Sequence, residues 1–270
     1  MSHGMINEVF NKLLARYLDA AWTEIVAPKG GYRDDLMSEA LATYRTSQLS
    51  EVRREETVAV LAHWINSYKV ARAPWTKQAD KKQDSLAHHV ALAALDLLGQ
   101  ERATPPAMLE DFALLREAIG TLYCQRMQKE RQFTSLTAKV LWCFRQSDAP
   151  IYDDYAYRAV TTLIKLYKAL AFQESYDQDK DIVTYTNEND TQRVNSTQAQ
   201  KDIWWFTEFS ASHACLFKVC EPSLVTFLKQ KGDLPDHVNA YRLFDKFLWL
   251  YGNSALDFNV ESQAERTNKT

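Results

Sequence analysis

Glycine and proline are scarce in this chain, seven of each among 270 residues. A β-sandwich or barrel turns every few residues and uses both at its turns, so the scarcity excludes those classes and leaves Gly and Pro as punctuation between long periodic segments. Cysteine is scarce as well. The four cysteines, Cys124, Cys143, Cys215 and Cys220, fall in helix-like segments, with no CxxC pair and no Cys/His spacing suited to zinc. Reduced core thiols are expected, with no metal and no cofactor. No apolar run approaches the roughly 20 residues needed to cross a bilayer, and the opening MSHGM is no signal peptide. The expectation is a cytoplasmic protein without a membrane partner. Also missing are G-x-x-x-x-G-K-[ST], G-x-G-x-x-G, H-E-x-x-H and G-x-S-x-G, so nucleotide hydrolysis, hydride transfer, zinc proteolysis and serine hydrolysis have no support.

What is present is helical periodicity in an ordinary globular composition, 46% hydrophobic and 25% charged. It predicts an all-α fold, an irregular globular bundle of about ten helices. Expected helices run over 6–26, 33–45, 50–72, 84–98, 107–130, 135–145, 153–172, 197–219, 222–229 and 235–251, with Pro222 and Pro235 suited to the first turns of the last two. Their lengths and spacings are irregular, so no solenoid repeat is expected. The organisation divides into an N-terminal helical region, 5–130, a C-terminal one, 131–252, and a flexible tail, 253–270. Within the second region, Glu174–Gln198 is polar and acidic and predicts a long loop with a short extended piece at 181–186.

The net charge of −3 and an isoelectric point near 6.1 argue against a protein that coats nucleic acid through bulk charge. The charge is uneven, however. Between Thr121 and Leu170 eight basic residues stand against four acids, whereas between Glu174 and Thr197 six acids face two basic residues. Arg126, Lys129, Arg131, Lys139, Arg145 and Arg158, all in the basic stretch, are the candidate nucleic-acid-binding residues.

The same stretch holds the most informative motif, SLTAKVLWCFRQSDAPIYDDYAYRAV, Ser135 to Val160. Ser135 suits an N-cap, and Leu136, Val140, Leu141, Cys143 and Phe144 give an apolar face. Pro150 keeps Ala149 extended, and Asp153 or Asp154 opens the next helix, whose amide groups and dipole favour a carboxylate there. Helix capping therefore suffices to explain the pair.

A chemical role comes from a resemblance. A helix, a short break, Pro-Ile/Val and an aspartate opening the next helix resemble the catalytic segment of the helix–hairpin–helix DNA glycosylases, in particular the 8-oxoguanine glycosylase branch, over about residues 131–160. The resemblance implies that Asp153 or Asp154 stabilises the sugar cation as a base leaves and orients the attacking water. Two departures accompany it. Tyr152 stands where that family has its acid, so Asp153 comes one position late, and KERQFTS lacks the glycines of the family's hairpin. Lys139 falls well inside the helix and is not assigned as the nucleophilic lysine of the bifunctional members, so the implied enzyme is monofunctional, with no Schiff base. Base extraction also demands an aromatic pocket, for which Tyr152, Tyr155, Trp204 and Trp205 are the candidates, the two tryptophans also explicable as core packing.

Along VNAYRLFDKFLWLYGNSALD, Arg242 and Asp245 have the spacing of a flank ion pair, and the sharper alternative holds Asp245 inside the bundle near the Tyr152–Asp154 corner. His63, His88, His89 and His213 have no partners at metal-ligand spacing. Two functions remain. One is a DNA base-excision glycosylase, or a DNA-binding protein derived from one, with DNA as partner. The alternative is a non-catalytic helical module that binds a protein partner, such as a component of a bacterial phage-defence system.

Overall fold

A computed structural model describes residues 4–27, 33–46, 50–68, 85–99, 107–176, 196–235 and 237–254. Among them are nine α-helices and no strand: α1 (Gly4–Val26), α2 (Asp34–Thr46), α3 (Glu51–Ser67), α4 (Leu86–Leu98), α5 (Met108–Met127), α6 (Thr134–Phe144), α7 (Asp154–Tyr176), α8 (Gln198–Gln230) and α9 (Ala240–Asn253). The all-α expectation holds. Most of the expected loop, with its extended piece, and nearly all of the expected tail lie outside the described residues; α7 itself runs to Tyr176.

Consecutive helices pack on one another from α2 to α6, while α1 joins α7, α8 and α9 in a second group. Helix α6 lies between the groups, touching α2, α3, α4, α5 and α8, and nine of its eleven residues are buried. Helix α9 faces the core with Leu243, Phe244, Phe247 and Leu248, all with no exposed surface.

The count falls from ten to nine because Pro222 does not break α8. Its ring nitrogen has no hydrogen for the preceding turn, a cost of about 3 kcal/mol. Yet Leu216, Cys220, Leu224 and Leu228 form one buried stripe that crosses the proline. Burial of Leu224 and Leu228 beyond it contributes about 1.5–3 kcal/mol each, enough to carry the helix through.

Helix starts show where local signals ruled and where they did not. Ser50 and Ser85 cap α3 and α4, and Thr197 with Gln200 forms a capping box at α8. At α9 the expected start near Pro235 moves to Ala240, because Asn239 accepts a hydrogen bond from the Arg242 N–H at 2.8 Å. Ser135 does not cap α6. The helix begins at Thr134, and the cap comes from α8: Asp202 accepts from the Phe133 N–H at 3.0 Å and the Thr134 hydroxyl at 2.8 Å. Arg116 neutralises this fully buried carboxylate and donates to the Arg131 carbonyl at 3.0 Å.

Candidate functional site

Fixing α6 by its buried start determines what its middle presents. One turn into the helix, Lys139 is only 6% exposed. Its Nζ lies 3.2 Å from Oδ2 of Asp153, so the lysine excluded on sequence position and the candidate aspartate form a nearly buried ion pair across the α6–α7 break. Asp153 Oδ1 accepts from the Ala156 N–H at 2.9 Å. The side chain is thus the N-cap of α7 and at the same time the counter-ion of Lys139, and capping and charge pairing coexist in one residue.

Both residues line a cavity of about 590 Å³. Its walls come from four helices, the end of a fifth and the α6–α7 break. Glu24 belongs to α1, Tyr68 follows α3, Ser135 and Lys139 belong to α6, Ile151 and Asp153 to the break, Asp154, Tyr155, Ala156 and Arg158 to α7, and Arg242, Asp245, Lys246 and Trp249 to α9. Behind Arg242 a buried network closes the wall. Arg242 pairs with Asp34 and donates to the Tyr68 hydroxyl at 2.8 Å, while the Trp64 indole N–H and the Tyr68 hydroxyl reach Asp34 Oδ1 at 2.9 and 3.1 Å. Burial opposes ionisation of Asp34, but the attraction of Arg242 and the Trp64 hydrogen bond outweigh it and hold the carboxyl below its usual range. The guanidinium stacks 4.4 Å over Trp142, fixing Arg242 from three sides.

Asp245 takes the sharper of its two expected places. It is 4% exposed, and its Oδ1 is 3.1 Å from Nε2 of His213 and 3.4 Å from the Ile151 N–H, which donates to it. Arg242 turns instead to Asp34, so the flank pair predicted from spacing is not formed as such. Oδ2 of Asp245 has no hydrogen-bond partner among the described residues. This oxygen is itself buried, so its missing partner is a cost carried inside the bundle rather than a group presented to the cavity.

Lys246, one residue on, is 7% exposed and sits 5.2 Å from the Trp249 ring centroid. Burial, with repulsion from Arg242, pushes its ammonium down to about 8 against the pull of Asp34, Glu24 and Asp153.

The remaining candidates separate into three groups. Asp154 is exposed at the start of α7 and lines the cavity; Tyr155 also lines it, set edge-on to Trp249 at 5.8 Å. Tyr152 is instead buried against Phe209 at 5.0 Å, and burial together with Tyr157 pushes its hydroxyl up to about 12, so it stays neutral. Trp204 and Trp205 are half-buried on α8 and do not belong to the cavity wall. Of the cations, Arg158 is exposed at the cavity, Arg126, Lys129 and Arg131 are exposed near the end of α5, and Arg145 is held by Asp111 at 2.8 Å and by Asp148. Glu24, Tyr68, Arg242, Asp245 and Lys246 are cavity residues that the sequence motif did not supply. Only the interruption of the apolar stripe of α9 by three charges signalled any of them.

No family model, curated protein or solved structure matches this chain. Among the described residues no helix is long and apolar enough to cross a membrane, and no three or more His, Cys, Asp or Glu side chains cluster as metal ligands.

Proposed function

We propose that the cavity receives a base turned out of duplex DNA and that Asp153 carries hydrolysis of its N-glycosidic bond. The observation that supports this is the placement of Asp153: its carboxylate is fixed by the α7 N-terminus and by Lys139 on the wall of a cavity whose size falls within the roughly 300–1,000 Å³ of small-molecule sites. In the proposed reaction the bond from C1′ to the base breaks with its electron pair leaving on the base, which takes up a proton from solvent. Water adds to C1′ and gives its proton to Asp153, which returns it to solvent, so that one water is consumed per base released. The carboxylate opposes the positive charge that the sugar develops only in the transition state, the kind of interaction that raises rate rather than binding. Tyr155 and Trp249 offer aromatic surface to the base, and exposed Arg126, Lys129, Arg131 and Arg158 offer cations to phosphates.

The test is a single-turnover assay on duplexes carrying damaged or modified bases, hypermodified cytosines of phage DNA included, with alkaline cleavage of the abasic product. Asp153→Asn should lower base release by about a hundredfold or more, and Asp154→Asn should leave it near wild type. Wild-type protein that releases no base from a broad panel, or a fully active Asp153→Asn, would overturn the proposal and put the alternative, the protein-binding module, in first place.

A further inference from the structure

The proposed hydrolysis leaves one fixed cation of the cavity wall unused. We infer that Arg242 forms an anion subsite on the inner wall that takes a phosphate group, either inorganic phosphate or the phosphate of a free mononucleotide. The subsite does not rest on base release.

Arg242 is 3% exposed and still part of the cavity wall. Its hydrogen bonds, to Asp34 and to the Tyr68 hydroxyl, both leave from Nη2, which uses the two hydrogens of that nitrogen. Nε is sealed inside the bundle. Nη1 donates to no described residue, so it is the nitrogen left to the cavity, with two hydrogens to give. The stack on Trp142 at 4.4 Å fixes the plane in which those hydrogens lie. A planar donor held in this way suits an oxyanion, the ligand for which a guanidinium is best shaped.

A second cation borders the same place. Lys139 Nζ lies 5.5 Å from the centroid of the Tyr68 ring, whose hydroxyl holds Arg242. It has three hydrogens and one carboxylate partner, Asp153 at 3.2 Å. The carboxylates nearest Arg242 are engaged elsewhere. Asp34 accepts from Arg242, Trp64 and Tyr68 behind the wall, and Asp245 is turned to His213 and Ile151. Lys246, one turn beyond Arg242, is pushed down to about 8 by burial and by that guanidinium, against the pull of Asp34, Glu24 and Asp153. Even with those carboxylates in place the wall disfavours positive charge, and a phosphate would relieve the repulsion.

Position narrows the source. A backbone phosphate of duplex DNA stays at the surface, within reach of exposed Arg158, whereas Arg242 is met only by a group that enters the cavity. The volume of about 590 Å³ is that of a small-molecule site, and Tyr155 and Trp249 offer surface to the base of a nucleotide.

Calorimetric titration of the full-length protein with inorganic phosphate, dCMP and deoxycytidine reads the subsite directly. dCMP should bind at least about tenfold more tightly than deoxycytidine, the gain expected of a charge-assisted hydrogen bond, and inorganic phosphate should displace it. A dCMP affinity well above that of phosphate names the nucleotide as the occupant, and equal affinities name free phosphate. Arg242→Gln alone leaves buried Asp34 without its counter-charge, so it is combined with Asp34→Asn, and the double variant should lose the preference for dCMP over deoxycytidine. Should that variant fail to fold, hydrogen exchange of the wild type locates the ligand, with dCMP slowing exchange over residues 135–139 and 242–249. Deoxycytidine bound as tightly as dCMP, no binding of phosphate or dCMP at millimolar concentration, a folded double variant that keeps the full preference, or protection confined to other helices would overturn the inference. A protein that binds dCMP and releases no base from DNA keeps the subsite and loses only the hydrolysis.

Discussion

Gly252, near the end of α9, packs directly on the backbone of Tyr155 in the first turn of α7. A methyl group at Gly252 would overlap the Tyr155 carbonyl oxygen and stand 2.7 Å from its carbon. The contact joins the two helices that supply most of the cavity wall, and backbone cannot yield as a flexible side chain can. Gly252→Ala should therefore destabilise the protein by about 1–3 kcal/mol despite alanine's better helix propensity. At this chain length that is roughly 2–4 °C in melting temperature per kcal/mol, measurable by thermal unfolding.

The paired aspartates should separate in stability as well as in chemistry. Asparagine caps a helix about as well as aspartate, so capping alone predicts little change at either position. The ion pair alters that for Asp153, because its removal leaves nearly buried Lys139 without its counter-charge. Asp153→Asn should cost about 2–4 kcal/mol, and Asp154→Asn, at an exposed position, about 0.5 or less. Adding Lys139→Met to Asp153→Asn should recover much of the loss. Urea unfolding of the four proteins tests this, and equal losses for the two Asn variants would exclude it.

A pH dependence follows from Lys246. Its folded-state value near 8 lies below the ordinary 10.5, so between those pH values the unfolded chain binds more protons and stability rises with pH. Below pH 8 the buried charge costs about 1–3 kcal/mol, since each tenfold loss of proton affinity is worth about 1.4 kcal/mol. Lys246→Met should consequently be more stable than wild type at pH 6.5, with the difference shrinking as pH approaches 10.5. Denaturant titrations at pH 6.5 and 10 give the two differences, and a gap that widens with pH would contradict the assignment.

Asp202 anchors the start of α6 from a helix far along the chain. Asp202→Ala removes the acceptor of the Phe133 N–H and the Thr134 hydroxyl and leaves buried Arg116 uncompensated. The expected cost is about 3–5 kcal/mol, read as a fall in the urea midpoint. Because Lys139 is positioned by α6, the same change should weaken any ligand binding in the cavity.

The sequence by itself determined the helical class, the approximate place of every described helix, and the Pro-Ile-Tyr-Asp-Asp corner. Those are written in local terms: apolar residues at helical spacing, side chains that cap the next turn, and few residues able to make tight turns. Tertiary structure decided the rest. Pro222 looked like a boundary because its missing hydrogen is a local fact, whereas the buried leucines that carry α8 past it are not. Ser135 looked like a cap because the competing carboxylate, Asp202, is 67 residues away. Arg242 and Asp245 looked like partners at three-residue spacing, yet burial brought each a stronger one, Asp34 and His213, from helices remote in sequence. The cavity is the extreme case. Its charges come from α1, α6, α7 and α9, and electrostatic energy depends on distance in space and on how much water lies between, neither of which is expressed in the order of residues.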